Sequence, residues 1–196
     1  MPSKRPFPIF SFQKLSQKGF TLLEVLVVVA IIGTLAGIVM ISVNRARLKA
    51  RDAKRLSDME QIQTALEMYY NKYGQYPDGA CDPLGDCVNL ICGGWDTQGD
   101  GEFLKVLNTE GFLSTKLADP KTTPGQACGG QYQYRYFRYN PYHAAAYCDP
   151  CNGKYYYVLG FTTSESVSGK NPQSPGWSCS ARDWQPEASW ITGRCE

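Results

Sequence analysis

Hydrophobic residues are concentrated in one continuous run near the start of the chain. Residues 20–43 read FTLLEVLVVVAIIGTLAGIVMISV, and Glu24 is the one charged residue among them. A helix of about 20 consecutive apolar residues is long enough to cross the hydrocarbon core of a bilayer. The run therefore predicts a membrane-spanning helix.

A different pattern begins after Val43. Apolar residues now recur at the spacing of one helix face, and no glycine or proline interrupts residues 44–73. Gly74 and Pro77 follow and predict the end of the helix. The apolar positions are Leu48, Leu56, Met59, Ile62, Leu66, Tyr69 or Tyr70, and Tyr73. The remaining positions are filled by the polar residues Arg51, Asp52, Lys54, Arg55, Asp58, Glu60 and Glu67. The two patterns together predict one helix over residues 20–73, in which 44–73 offers an apolar face to a following domain.

Residues 74–196 read as a small head domain. Tyr132, Tyr134 and Tyr136 alternate with polar residues, which predicts a strand, and residues 155–161 predict a second strand antiparallel to it. A third short strand is expected at 188–192 and a short helix within 102–109, while 81–101 and 113–130 read as loops. The predicted fold class is α+β, with a long N-terminal helix packed on a small antiparallel sheet.

Charge is divided between these parts. The 196 residues contain 20 Lys and Arg against 18 Asp and Glu, for a formal net charge of +2. Residues 1–73 carry a net +6 and residues 74–196 a net −4. The near-neutral total argues against a strongly basic nucleic-acid-binding protein, and no nucleic-acid partner is predicted. An aromatic content of 13% argues against disorder.

All eight cysteines lie in the predicted head: Cys81, Cys87, Cys92, Cys128, Cys148, Cys151, Cys179 and Cys195. Their position on one side of a membrane span indicates an oxidising compartment, so we expect a head that is cross-linked by disulfides. The pairing is not determined by sequence. Local bridges among the first three cysteines and between Cys179 and Cys195 are expected, and Cys128 is expected to pair with Cys148 or Cys151.

Three features are candidates for catalytic or ligand sites. Cys148 and Cys151 form a C-x-x-C pair, but without a thioredoxin-like βαβ pattern a structural disulfide is the better interpretation. Asp96 and Asp100 resemble the start of an EF-hand loop, yet position twelve is Leu107 instead of glutamate, so they are only a weak calcium candidate. The one histidine, His143, has no evident catalytic partner. We therefore predict no enzyme and no required cofactor.

The junction before the apolar run carries the most specific motif. A basic leader precedes Lys18-Gly19-Phe20-Thr21-Leu22-Leu23-Glu24, and the apolar run is about twice the length of an ordinary signal-peptide core of roughly 7–15 residues. No Ala-x-Ala cleavage site follows it. The constellation closely resembles the signature of the type IV prepilins, a family that includes the pseudopilins of type II secretion.

The resemblance implies roles for particular residues. A membrane prepilin peptidase would cut after Gly19, removing residues 1–19, and Phe20 would become a methylated N-terminus. Glu24 would pair with the N-terminal amine of a neighbouring subunit during filament assembly. Gly33 and Gly37 form a Gly-x-x-x-Gly step that is a candidate helix-packing face.

These roles predict a structural subunit of a type IV pilus-like filament or a type II secretion pseudopilus, two alternatives that the sequence leaves open. Its partners would be the peptidase, homologous pilin subunits and inner-membrane assembly machinery. The precursor would sit in the inner membrane with residues 20–43 spanning it and the head, 74–196, outside the cytoplasm. Counting basic residues on the two sides of the span favours the opposite orientation, and the cleavage motif is given more weight. The alternative function is a membrane-anchored binding module that does not polymerise.

Overall fold

A computed structural model describes residues 19–78, 96–97, 103–122, 130–140 and 150–196. The chain divides into two compact units, Met1–Val43 and Asn44–Glu196, and the first helix contributes to both. The elements in chain order are α1 (Leu22–Tyr73), β1 (Asp96–Thr97), α2 (Lys105–Thr109), β2 (Tyr134–Tyr139), β3 (Tyr156–Phe161), β4 (Ser178–Cys179), β5 (Arg182–Asp183), a 3₁₀ turn (Gln185–Glu187) and β6 (Trp190–Cys195).

Helix α1 confirms the prediction of one uninterrupted helix. It ends where Gly74 adopts a φ of +72°, a left-handed conformation that glycine reaches without steric cost. The Gly74 N–H donates to the Tyr70 carbonyl at 2.7 Å, which satisfies one of the last carbonyls of the helix. The expected short helix is also present, although α2 begins three residues later than the predicted start at 102.

The main sheet has four antiparallel strands in the order β1-β2-β3-β6. Strands β2 and β3 pair as predicted, with Tyr136 opposite Leu159. The third predicted strand is present but shifted, because β6 covers Trp190–Cys195 instead of 188–192. The β4–β5 hairpin and the short edge strand β1 were not predicted. The α+β fold class is confirmed.

The sheet is covered on both faces, and β3 is buried throughout. One face packs against the second half of α1 and against α2, in a core that includes Met59, Ile62, Leu66, Leu107, Tyr134, Tyr136, Tyr157, Leu159, Phe161 and Trp190. The other face packs against the C-terminal segment, in a smaller core of Tyr139, Cys151, Tyr156, Val158, Trp184, Ala188 and Ile191. The tyrosines of β2 and β3 are therefore core residues: Tyr134, Tyr136 and Tyr157 belong to the first core, and Tyr139 and Tyr156 to the second.

A disulfide joins Cys151 to Cys195, which corrects the expected Cys179–Cys195 pairing and removes one of the two alternatives expected for Cys128. Cys195 does not bond to Cys179, and Cys151 does not bond to Cys128. The reason is the register of the sheet: β6 extends to Cys195, which lies opposite Tyr156 at the start of β3, close to Cys151. Cys179 is also disulfide-bonded, and no cysteine in the described part of the chain is free. Cys81, Cys87, Cys92, Cys128 and Cys148 lie outside the described residues.

Candidate functional site

Thr21 and Glu24 form a capping box at the N-terminus of α1. The Thr21 hydroxyl accepts a hydrogen bond from the Glu24 backbone N–H at 3.2 Å. Glu24 Oε2 in turn accepts from the backbone N–H and the hydroxyl of Thr21, each at 2.8 Å. These reciprocal bonds satisfy amide groups that the first turn of a helix leaves without partners. Gly19 and Phe20 precede this cap in exposed, non-helical backbone.

The apolar side chains of residues 20–43 are exposed to an extent that is unusual for a soluble protein. Phe20 is 86% exposed, and each of the other large hydrophobic residues of the run is at least 41% exposed. The described chain has one helix long and apolar enough to cross a membrane, and none of its apolar window is buried. This segment therefore requires a covering partner, either lipid or protein.

Gly33 and Gly37 lie within this exposed segment. A Cβ atom built on either glycine would meet no atom within 4 Å. Nothing within the described chain therefore requires glycine at these positions, and both remain predicted contact points for another helix.

A buried ionic cluster joins the second half of α1 to the loops of the head. Arg55 is fully buried and bonds to three carboxylates. Its Nε and Nη2 donate to the two oxygens of Asp119 at 2.7 and 3.0 Å. Nη1 donates to Asp52 at 2.6 Å, and Nη2 also donates to Glu165 at 2.9 Å. A guanidinium suits this position because its donors are held in a fixed planar fork.

Two further cations complete the cluster. Arg51 Nε and Nη2 donate to Glu165 at 2.7 and 2.6 Å, and Lys121 Nζ lies 3.1 Å from the same carboxylate. The hydrogen bonds from Arg51, with help from Arg55 and Lys121, lower the pKa of Glu165 to about 2, although burial opposes them. The cluster of Arg51, Asp52, Arg55, Asp119, Lys121 and Glu165 is thus electrically balanced.

Asp52 is held from the head side as well. Burial raises its pKa, but hydrogen bonds from Ser166 and from the backbone N–H of Glu165 outweigh it and hold the pKa below its ordinary value. The Ser166 hydroxyl donates to Asp52 at 2.6 Å. Buried carboxylates of this kind are stable only when their acceptor oxygens are satisfied.

A second polar contact lies one turn further along α1. The Tyr134 hydroxyl donates to buried Asp58 at 2.7 Å, and Lys54 bonds to the same carboxylate at 2.9 Å. Burial, together with the bond to Asp58, raises the pKa of Tyr134. At the end of the helix, Arg138 bonds to Glu196 and Asp78, and Glu196 accepts from the backbone N–H of Tyr76.

Three polar residues of the amphipathic pattern, Asp52, Arg55 and Asp58, are buried. These three residues occupy the buried stripe of α1 with Met59, Ile62 and Leu66. Positions 52, 55, 59, 62 and 66 follow the three- and four-residue spacing of one helix face. That spacing was a signal in the sequence, but charged residues at such positions read as surface because their partners lie in distant loops.

The remaining candidate residues are only partly described by the structure. Asp96 is buried at the sheet edge, where its Oδ2 accepts from the Leu104 N–H at 3.1 Å. Asp100 and His143 lie outside the described residues, so the calcium candidate stays a prediction. Among the residues that the structure does describe, no group of three or more His, Cys, Asp or Glu side chains is arranged to hold a metal ion.

Comparisons with known proteins concern the N-terminal region. The family model for the prokaryotic N-terminal methylation motif matches residues 14–40. The chain is 43% identical over 65 residues to type II secretion system core protein G of Aeromonas hydrophila, which is 33% of this chain and 46% of that protein. The proteins of the same name from Escherichia coli K12 and Vibrio cholerae are each 43% identical over 61 residues, or 31% of this chain and 42% of theirs.

The match spans less than half the length of these relatives. No solved structure matches the chain significantly. The motif covers Gly19, Phe20 and Glu24, which are the residues that the sequence singled out for processing and assembly. The N-terminal third of this chain therefore carries the methylation motif of the prepilins and resembles the core pseudopilin of type II secretion.

Proposed function

We propose that this chain is a structural subunit of a type II secretion pseudopilus. One observation carries the proposal: a methylation motif over residues 14–40 introduces a helix whose apolar side chains are uncovered. Similarity to the core protein G relatives favours the pseudopilus over a type IV pilus. In this proposal residues 20–43 lie first in the inner membrane and then in the filament core, and the head, residues 74–196, lies outside the cytoplasm.

We propose that residues 1–19 are a leader removed by a prepilin peptidase. Hydrolysis of the peptide bond between Gly19 and Phe20 would release a free α-amine on Phe20, which is then methylated. The exposed, non-helical backbone at this bond supports the proposal, because a peptidase needs an accessible extended segment. The capping box of Thr21 and Glu24 stabilises the first turn of the helix on the C-terminal side of the cut.

We propose that Glu24 pairs with the Phe20 amine of a neighbouring subunit. Within the described chain the carboxylate bonds only to Thr21, through Oε2. An ionised carboxylate in hydrocarbon costs roughly 2.5–3.5 kcal/mol on insertion scales, so a cationic partner would offset a substantial penalty. Exposed Gly33 and Gly37 would let neighbouring helices approach closely.

Mass spectrometry of the protein produced together with a prepilin peptidase tests the processing step. We expect a mature chain that begins at Phe20 and carries one N-methyl group. Gly19→Val places a branched side chain at the cut and should leave the leader attached, whereas Gly33→Val, the same substitution within the helix, should be processed normally. A chain still starting at Met1, or cut after residue 43, would contradict the proposal.

A second experiment separates assembly from anchoring. Glu24→Gln keeps the shape of the side chain and should leave the subunit processed and membrane-bound but excluded from filaments. Glu60→Gln, which removes an exposed carboxylate further along the same helix, serves as the matched control. Filament incorporation is measured by shearing and sedimentation. Normal incorporation of the Glu24 variant would refute the pairing with Phe20, and a protein that never polymerises would favour the anchored binding module.

A further inference from the structure

The basic residues that follow the apolar run divide into two groups. Arg51, Lys54 and Arg55 each bond to a carboxylate of the chain itself. Arg45, Arg47 and Lys49 differ from them, because all three are exposed and none bonds to any group that the structure describes. Among the residues that the structure describes, the basic residues that come first after the span are thus the ones without a bonded partner.

No acidic residue close to them in the sequence offsets their charge. Between Glu24 and Asp52 the sequence contains no Asp or Glu. Asp52 itself is buried and held by Arg55, Ser166 and the backbone of Glu165. Residues 44–50 therefore carry three positive charges that no described group of the subunit neutralises.

Their position along α1 corresponds to the head-group layer of a bilayer. At 1.5 Å per residue, Leu22–Val43 is about 33 Å long, close to the roughly 30 Å of a hydrocarbon core. Arg45, Arg47 and Lys49 follow Val43 by two, four and six residues, which is about 3–9 Å further along the axis. The head-group layer on each side of the core is about 5–8 Å thick. Long basic side chains also reach toward such a layer.

The three side chains lie on two opposite sides of the helix instead of forming one face. Each residue of an α-helix turns by about 100°, so Arg45 and Lys49 project to similar sides and Arg47 to nearly the opposite side. A single protein partner would contact one face only. Lipid head groups surround the helix on all sides, so they fit this distribution better.

We propose that Arg45, Arg47 and Lys49 form a basic collar that binds the phosphate groups of anionic phospholipids in the leaflet next to the head. The arginines would contact phosphate oxygens through their paired N–H donors. This inference rests on the proposed membrane span but not on filament assembly. It also gives the basic residues after the span a role other than setting the orientation of the chain.

The test uses the full chain reconstituted into phosphatidylcholine vesicles with trace spin-labelled phosphatidylglycerol or spin-labelled phosphatidylcholine. Electron paramagnetic resonance measures how much of each probe is immobilised at the protein. We compare the wild type with the triple variant Arg45→Gln, Arg47→Gln, Lys49→Gln. The matched control removes the same charge from exposed lysines of the head, by Lys116→Gln, Lys154→Gln and Lys170→Gln. The basic leader is present in all three proteins.

We expect the wild type and the control to prefer the anionic probe. The collar variant should lose at least about fivefold of that preference, the factor that one such cation supplies at an anionic surface. High salt should abolish the difference, since screening shortens to about 3 Å at 1 M. An unchanged preference in the collar variant overturns the proposal, even where filament incorporation falls, because the cations would then serve neighbouring subunits. Flotation with pure phosphatidylcholine vesicles tests the span separately, and a chain that fails to float would overturn both proposals.

Discussion

Arg55→Met is the sharpest test of how the helix is held to the head. Methionine is close to arginine in length and has good helix propensity, so the substitution removes the guanidinium while leaving the helix intact. The loss is not shared equally among the carboxylates. Asp52 keeps its donors from Ser166, and Glu165 keeps Arg51 and Lys121. Asp119, fully buried at its side chain, keeps only the backbone N–H of Lys121 among the described groups.

The expected cost is large because a charge is left buried without its counter-ion. Removing one partner of a buried ion pair destabilises a protein by about 3–5 kcal/mol. A domain of this size is stable by about 5–15 kcal/mol in total. The variant should therefore lose a large share of its free energy of unfolding, with a melting temperature lower by roughly 10–15 °C.

Unfolding of the full chain by guanidinium chloride in detergent micelles measures this loss of free energy of unfolding. The fluorescence of buried Trp184 and Trp190 reports the transition. Arg194→Met is the matched control, because Arg194 is 59% exposed and pairs with Glu67 of the same helix. An exposed pair contributes about 0–1 kcal/mol. The double variant Arg55→Met, Asp119→Leu should recover part of the lost free energy of unfolding, since it also removes the Asp119 carboxylate that would be left buried without its counter-ion. Equal effects of the two arginine substitutions would refute the proposed role of the cluster.

Three further predictions concern the head. The low pKa of Glu165 means that this carboxylate stabilises the head fully above its ordinary pKa of 4.5 and loses that effect as the pH falls toward about 2. The free energy of unfolding of Glu165→Gln, measured by denaturation, should therefore fall less between pH 4.5 and 2 than that of the wild type. Non-reducing peptide mapping should find Cys151 linked to Cys195, and replacing both by serine should cost about 4 kcal/mol in denaturation; any other partner for Cys195 would contradict the structure. Gly160→Ala would place a Cβ 2.5 Å from the carbonyl oxygen of Trp190 in β6. It should therefore destabilise the head by about 1–3 kcal/mol in the same assay. A neutral result would show that the strands separate easily.

The helix was predictable because its determinants are local. An apolar run and an amphipathic run meet without glycine or proline between residues 44 and 73, and Gly74 supplies the left-handed conformation that ends the helix. The strands β2 and β3 were predictable for the same reason, since tyrosine alternates with polar residues at the start of β2 and β3 is a short aromatic and apolar run. The processing motif is also contained within a few consecutive residues.

The ionic cluster and the disulfide were not predictable because they depend on contacts between distant segments. The residues that bond to Arg55 in the head lie 64 and 110 positions away, and no local spacing relates them to the helix. The pairing of Cys195 follows from the register of β6 against β3, which extends three residues beyond the predicted end of that strand. Proximity in sequence favoured Cys179, but sheet register placed Cys195 beside Cys151.

The apolar stripe and the ionic cluster of α1 therefore have different roles in the head. Apolar contacts by Met59, Ile62 and Leu66 supply stabilisation that tolerates small displacements, because burial depends on area and not on direction. The guanidinium of Arg55 tolerates much less, since a slip of one residue turns the helix by about 100° and moves it 1.5 Å, which breaks the bonds to Asp119 and Glu165 together. A buried ion pair is weak support for stability alone but it penalises every arrangement that leaves it unsatisfied. We infer that the stripe attaches the helix to the sheet and the cluster selects one register among those that the stripe would accept.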